Sequence, residues 1–196
     1  MKIGLTGIST CGKTTVAKAL CQEFNCPLFE IDEFYKGRGL PMCKFHNKFV
    51  ENWDDPTAIL WDKYSKAISE DKSDLAIIDC FQIRYEKSIE NQVSAIIQFE
   101  YQEKDLPIAV NRRVLRLAGV PPPENYHDID PFEDGIVYEA LYYEEIVWPI
   151  AISHPEYWKY NEGECTKPLL ILSATDPIEV NIQKSKEFVL HLLESK

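Results

Sequence analysis

Gly7-Ile8-Ser9-Thr10-Cys11-Gly12-Lys13-Thr14 satisfies G-x-x-x-x-G-K-[ST] at each required position. Residues 2–6 before it read as a short apolar strand. Residues 13–24 after it have helical spacing, with Val16, Ala19, Leu20 and Phe24 on one side. A strand, a glycine-bounded loop and a helix together make the pattern a phosphate site. Gly7 and Gly12 allow backbone angles and a close approach that a side chain would block. The loop then aims several N–H groups at one anion, at the positive end of the helix. Lys13 adds a point charge for the outer phosphates, and the Thr14 hydroxyl suits Mg²⁺. Cys11 reads as a small side chain the loop tolerates. Its place near a helix N-terminus also raises a secondary expectation of an acidic, oxidation-sensitive thiol.

Outward from this loop the chain alternates short apolar runs with helical ones. Strands are predicted over residues 27–31, 75–79, 95–99 and 169–172, and helices over 55–69, 103–117, 134–147 and 178–194. Asp55-Pro56 supplies the helix-start signal of an acidic cap followed by proline. Residues 37–52 and 118–131 read as loops, the second broken by Pro121-Pro122-Pro123, and the helix from Asp134 is expected to stop near Pro149. This order predicts a three-layer α/β domain with about five parallel strands joined by helical crossovers. Ligands in such sheets bind beyond the carboxyl ends of the strands.

The 196 residues suit one domain, and 45% apolar with 12% aromatic residues suits a packed core. With 32 acidic against 21 basic residues the formal charge is −11, which argues against nucleic acid and anionic membrane as partners. The six cysteines form no C-x-x-C pair or zinc spacing, and the chain opens directly into a strand-like run. Together these predict a reduced, cytoplasmic setting, with the nucleus also open.

Carboxylates follow the strands. Asp79 closes the apolar run Leu75-Ala76-Ile77-Ile78 and reads as a metal-holding acid of the Walker B type. Asp32 and Glu33 follow the second strand. Phosphoryl transfer needs a carboxylate to orient the attacking hydroxyl and take its proton. In extended chain the two neighbours point to opposite sides, so one of them is expected to face the γ-phosphate.

Several segments together resemble nicotinamide riboside kinases, which belong with uridine and pantothenate kinases to one P-loop superfamily. Ile31-Asp32-Glu33-Phe34-Tyr35-Lys36 is similar to that family's acid-acid-Phe-aromatic-Lys segment, and Asn52-Trp53-Asp54-Asp55-Pro56 to its aromatic-Asp segment. Ile77-Ile78-Asp79-Cys80-Phe81 resembles its apolar-acid-Gly-Phe segment. Arg112-Arg113-Val114-Leu115-Arg116 matches its lid, and Phe132-Glu133-Asp134-Gly135-Ile136-Val137-Tyr138 the segment after it. The likeness spans about residues 3–175 and implies one P-loop kinase domain over 1–196, with an arginine-bearing lid at about 112–131.

The resemblance also implies roles. Residues 7–15, Thr15 included, would hold ATP phosphates, with Thr14, Glu33 and Asp79 at Mg²⁺. Glu33 takes the place of the catalytic acid, with Asp32 as the other candidate. Phe34, Tyr35 and Lys36 would line the nucleoside site, Trp53 would stack on the nicotinamide ring, and Asp54 would bind ribose hydroxyls. Arg112 and Arg116 would reach ATP, Arg113 the substrate, and Ser173, Ala174 and Thr175 the adenine. Chemistry supports such roles: a cationic ring favours a Trp face, and arginine forks suit phosphates. Three positions depart from the family. Glu33 replaces Asp, Cys80 replaces Gly, and Ala118 replaces a second stacking aromatic, for which Tyr126 or another loop aromatic would have to substitute. The implied activity is ATP-dependent phosphorylation of the 5′-hydroxyl of nicotinamide riboside. The alternatives are a kinase for uridine, cytidine or another small molecule, and a nucleotide-binding regulatory protein.

Overall fold

A computed structural model describes residues 1–195. In chain order it runs β1 (Lys2–Thr6), α1 (Lys13–Phe24), β2 (Leu28–Glu30), β3 (Met42–Phe45), β4 (Lys48–Glu51), α2 (Trp61–Glu70), β5 (Ala76–Asp79), α3 (Lys87–Glu90), β6 (Ala95–Glu100), α4 (Leu106–Ala118), α5 (Gly135–Tyr142), α6 (Trp148–Ser153), β7 (Leu169–Ser173) and α7 (Ile178–Glu194). Among the described residues five strands form one parallel sheet in the order β2-β5-β1-β6-β7. Leu5 lies opposite Asp79 on one side and Ile97 on the other, so the phosphate loop leaves the middle of the sheet.

The strands read as unbroken apolar runs because both faces are covered. Ile77 and Ile97 pack with Ile3, Leu5, Val16, Leu20 and Val189 on one face. Their neighbours Ile78 and Ile96 pack with Ile31, Tyr64, Ile68 and Ile83 on the other. Helices on both sides of the sheet give the expected three layers. No helix among the described residues is long and apolar enough to cross a membrane.

Three local expectations are corrected. Residues 42–51, expected as loop, form an antiparallel β3–β4 hairpin. Phe45 anchors it in the core, edge-on to Phe132, Tyr138 and Tyr142, while Met42 and Phe49 on the other face stay exposed. Apolar residues on both faces erase the alternation that would mark a strand.

Asp55 caps a single 3₁₀ turn (Pro56–Ala58) through the Thr57 N–H at 2.8 Å, and not the long helix. Ile59 then pairs with Tyr35 in extended conformation, so α2 starts at Trp61. The helix begun at Asp134 does not stop near Pro149. A π-helical turn (Tyr143–Val147) joins α5 to α6, and Pro149 lies in the first turn of α6, where its missing N–H is tolerated.

Candidate active site

The phosphate loop is held in a strained shape. Gly7 and Gly12 have φ of 137° and 97°, and Thr10 is left-handed at 71°. A Cβ at Gly7 would sit 2.5 Å from the Phe99 carbonyl oxygen, so only glycine lets the loop lie against β6. A left-handed non-glycine residue costs about 1–2 kcal/mol. Two tyrosines hold the backbone around it. Tyr143 Oη donates to the Ser9 carbonyl at 2.8 Å, and Tyr101 Oη to the Thr10 carbonyl at 2.9 Å. Neither tyrosine was singled out from the sequence. Tyr101 directly follows β6, at the carboxyl end of a strand, which was a usable signal. Tyr143 sits on the π-helical turn and had none.

Lys13 is 8% exposed and lies across the loop, donating to the Ile8 carbonyl at 3.1 Å and to Cys11 Sγ at 3.6 Å. Burial by itself lowers its pKa, but Cys11, Asp79 and Asp32 outweigh that and raise it, so the ammonium stays charged. Cys11 is 1% exposed, and burial pushes its thiol up despite the nearby Lys13. The expectation of an acidic, oxidation-prone thiol is therefore corrected: desolvation outweighs the helix terminus.

Thr14 Oγ1 donates to Asp79 Oδ2 at 2.5 Å, joining the loop to the end of β5. Burial raises the Asp79 pKa, and Lys13 and the Thr14 hydrogen bond oppose the rise. A hydroxyl and a carboxylate fit Mg²⁺, a hard ion that takes few protein ligands and completes its shell with water and phosphate. No cluster of three or more His, Cys, Asp or Glu that could hold a metal by itself exists among the described residues. Cys80, in place of glycine, is buried in the core below Asp79.

Asp32 and Glu33 do not lie in extended chain. They sit on a 3₁₀ turn (Ile31–Phe34), where neighbours project about 120° apart. Both are exposed. Asp32 is among the leading charges acting on Lys13, Asp54 and Asp79, whereas Glu33 is not among those acting on any of them. Of the two carboxylates, Asp32 is the one whose charge acts on the loop lysine and on Asp79. Phe34 turns inward against Tyr64, with centroids 4.8 Å apart. Tyr35 meets Trp53 edge-on at 5.3 Å, and the Lys36 N–H donates to Ala58.

Trp53 is 42% exposed, so it is not a core residue. Asp54 beside it keeps part of its surface open, but protein atoms crowd its carboxyl. Burial pushes its pKa up to about 6, against the pull of Arg113, Lys13 and Arg116. Arg113 is forked on Glu139, its Nε and Nη2 each 2.9 Å from Oε2. Arg112 and Arg116, four apart on α4, are not brought to one contact. Arg112 donates to the Ala174 carbonyl at 2.5 Å and to Tyr101 Oη at 3.1 Å, while Arg116 is exposed and acts on Asp54. Ala118 is exposed at the end of α4. Tyr126 is bonded through its hydroxyl to Glu144 at 2.6 Å and stacked on His127 at 4.0 Å.

At the end of β7, Ser173 and Thr175 share a hydrogen bond of 2.8 Å, and Asn181 on α7 donates to the Ser173 carbonyl at 2.9 Å. Arg112 and Asn181 thus hold this turn from two sides. Thr15 is exposed at the start of α1. The carboxyl ends of β1, β2, β5, β6 and β7 bring the phosphate loop, Asp32, Asp79, Tyr101 and the 173–175 turn to one side of the sheet.

No model of a known protein family matches the chain, and no curated protein matches its sequence. Its fold is similar to that of solved kinases. A gluconokinase from Sinorhizobium meliloti 1021 superposes with a TM-score of 0.56 at 14% identity, covering 99% of this chain and 94% of that one. A shikimate kinase from Bacteroides thetaiotaomicron superposes with a TM-score of 0.53 at 16% identity, covering 96% of this chain and 98% of that one. The α/β fold with its five-stranded parallel sheet is thus shared with these solved kinases.

Proposed function

We propose that this protein transfers the γ-phosphoryl group of ATP to a hydroxyl of a small molecule. The observation that carries the reading is the glycine-bounded loop that holds Lys13 and joins Thr14 to Asp79, with the charge of Asp32 acting on Lys13 and Asp79. Asp32 takes the proton of the acceptor hydroxyl. The hydroxyl oxygen bonds to the γ-phosphorus, the bond to the β–γ bridging oxygen breaks, and ADP leaves with that electron pair. Lys13 and the loop N–H groups hold the charge on the phosphoryl oxygens. Thr14 and Asp79 are the residues to hold Mg²⁺, which when bound neutralises phosphate charge. Arg112, anchored at Ala174, borders the adenine end.

Nicotinamide riboside is the acceptor we favour, phosphorylated at its 5′-hydroxyl. An exposed Trp53 next to Asp54, on which the charge of Asp32 acts, suits a flat cationic ring joined to a diol. The experiment is ADP release from Mg·ATP with nicotinamide riboside, uridine, cytidine, pantothenate or no acceptor. Release that depends on nicotinamide riboside is expected. Release only with another acceptor keeps the kinase and discards this substrate. Nucleotide binding without acceptor-dependent release replaces the enzyme with a regulatory protein.

Asp54 gives the reaction a pH signature. With its pKa near 6, Asp54 is ionised above that pH and accepts hydroxyl donors fully only there. The acceptor KM should therefore climb by about tenfold per unit as pH falls below 6, while the KM for ATP stays level. In Asp54→Asn the acceptor KM should be high and flat across the same range. A wild-type acceptor KM that ignores pH between 5 and 7 would remove Asp54 from the acceptor site.

A further inference from the structure

Two cysteines meet at the end of α1 that lies away from the phosphate loop. The helix ends at Phe24, and Asn25 takes a left-handed turn with φ of 49°. Asparagine tolerates that conformation better than most residues with a side chain. The turn folds the chain back, so that the Cys26 N–H donates to the Cys21 carbonyl at 3.2 Å. Helix ends of this kind bring the side chains of the two positions together, frequently as an apolar contact. Here both are thiols. Cys26 Sγ donates to Cys21 Sγ at 3.9 Å, and Cys21 Sγ donates to the Pro27 carbonyl at 3.6 Å. Both residues are half-buried, so neither is sealed in the core. The other four cysteines differ. Cys11 and Cys80 are 1% and 0% exposed, and Cys43 and Cys165 are hydrogen-bonded to no second thiol among the described residues.

We propose that Cys21 and Cys26 are an oxidisable pair that closes to a disulfide, stapling the end of α1 to the start of β2, while the thiol in the phosphate loop stays reduced. A small disulfide such as oxidised glutathione is the co-reactant. The Cys26 thiolate attacks one of its sulfurs and releases one glutathione thiolate. The Cys21 thiolate then attacks Cys26 Sγ and releases the second. The two protein thiols give up their protons and two electrons, and one glutathione disulfide becomes two thiols. Cys26 attacks first, because the bond between the thiols lowers its pKa and raises that of Cys21. Burial still pushes both up, Cys21 to about 12, so closure is slow at neutral pH and quickens as pH rises. The same burial favours the closed form: a dithiol kept from ionising lacks the thiolate stabilisation that makes some reduced pairs resist closure. The sulfurs must come about 1.9 Å closer, and the backbone hydrogen bond already holds the two residues side by side. Cys21 lies about 12 Å along α1 from Lys13, so the staple leaves the phosphate loop as it is.

Reduced protein incubated with oxidised glutathione, then denatured and labelled with a maleimide, reads the closure. The wild type should lose two of its six reactive thiols, and mass spectrometry of peptides should find Cys21 joined to Cys26. The rate of closure should climb by about tenfold per unit between pH 7 and 9, as the thiolate fraction does. Cys21→Ser should stop at a mixed disulfide on Cys26, and Cys26→Ser should react far more slowly. The oxidised wild type should melt about 4 °C above the reduced protein, the scale of closing a short loop. Six thiols retained, a glutathione left on either cysteine of the wild type, or a disulfide drawn from Cys11, Cys43, Cys80 or Cys165 overturns the proposal. An oxidised protein that melts below the reduced one overturns it too, because closure would then strain the turn and not staple it.

Discussion

Asp32→Asn is expected to lower kcat by about 10²- to 10⁴-fold, the usual contribution of a positioned general base. Glu33→Gln should leave kcat within about threefold, as for a surface change. The two carboxylates are adjacent and both exposed, so neither burial nor position along the chain separates them. Their 3₁₀ turn does, because it points them about 120° apart. Of the two, only Asp32 is then among the leading charges at Lys13, Asp54 and Asp79, the groups that the proposed reaction uses. ATP affinity should change little in either variant, so the loss falls on turnover and not on nucleotide binding. Equal losses in the two variants, or a larger one in Glu33→Gln, would return the base to Glu33.

The family resemblance puts Glu33 at the position of the catalytic acid, and the reason the two readings differ is local. From the sequence, residues 32–36 read as the continuation of a strand, in which neighbours alternate faces. The chain instead coils for one turn, because β2 ends at Glu30 and Phe34 turns inward onto Tyr64. That contact is tertiary, and nothing within six residues announces it. The arginines illustrate the same limit. Spacing on a helix correctly puts Arg112 and Arg116 on one side of α4. What each meets depends on Ala174, Tyr101 and Asp54, which come from three other parts of the chain.

The most legible features were those set by short-range rules. The loop and α1 follow from glycines, a lysine and helical spacing within 18 residues. The five parallel strands follow from apolar runs that need cover on both faces. The β3–β4 hairpin was hidden because Met42 and Phe49 face solvent while Phe45 faces the core. The continuation through Pro149 was hidden because a π-helical turn precedes it. That same turn delivers the Tyr143 hydroxyl to Ser9, so the least predictable piece of backbone supports the most predictable loop.

Replacing Lys13 should have the other large effect, and it separates chemistry from folding. Lys13→Met is expected to cut kcat by about 10³-fold, the scale of losing a charged donor aimed at a transition state. Thermal stability should fall only modestly. In the free protein the ammonium is almost wholly buried, and taking a charge out of water costs several kcal/mol, which Cys11, Asp79 and Asp32 more than offset. Its contacts there are a carbonyl at 3.1 Å and a thiol at 3.6 Å, weak partners for a full charge. Such a residue is held ready for an anion, and a triphosphate in the loop would supply one. Lys13→Arg should not restore turnover. The guanidinium keeps the charge, but its wide planar fork cannot occupy the space of a compact ammonium between Ile8 and Cys11. Thermal melts of the three proteins with and without Mg·ATP read both halves of the argument. The wild type should gain several degrees on nucleotide addition and both variants much less. A Lys13→Met protein that turns over normally would place the phosphoryl chemistry elsewhere, and one that melts far below the wild type would make Lys13 a structural residue.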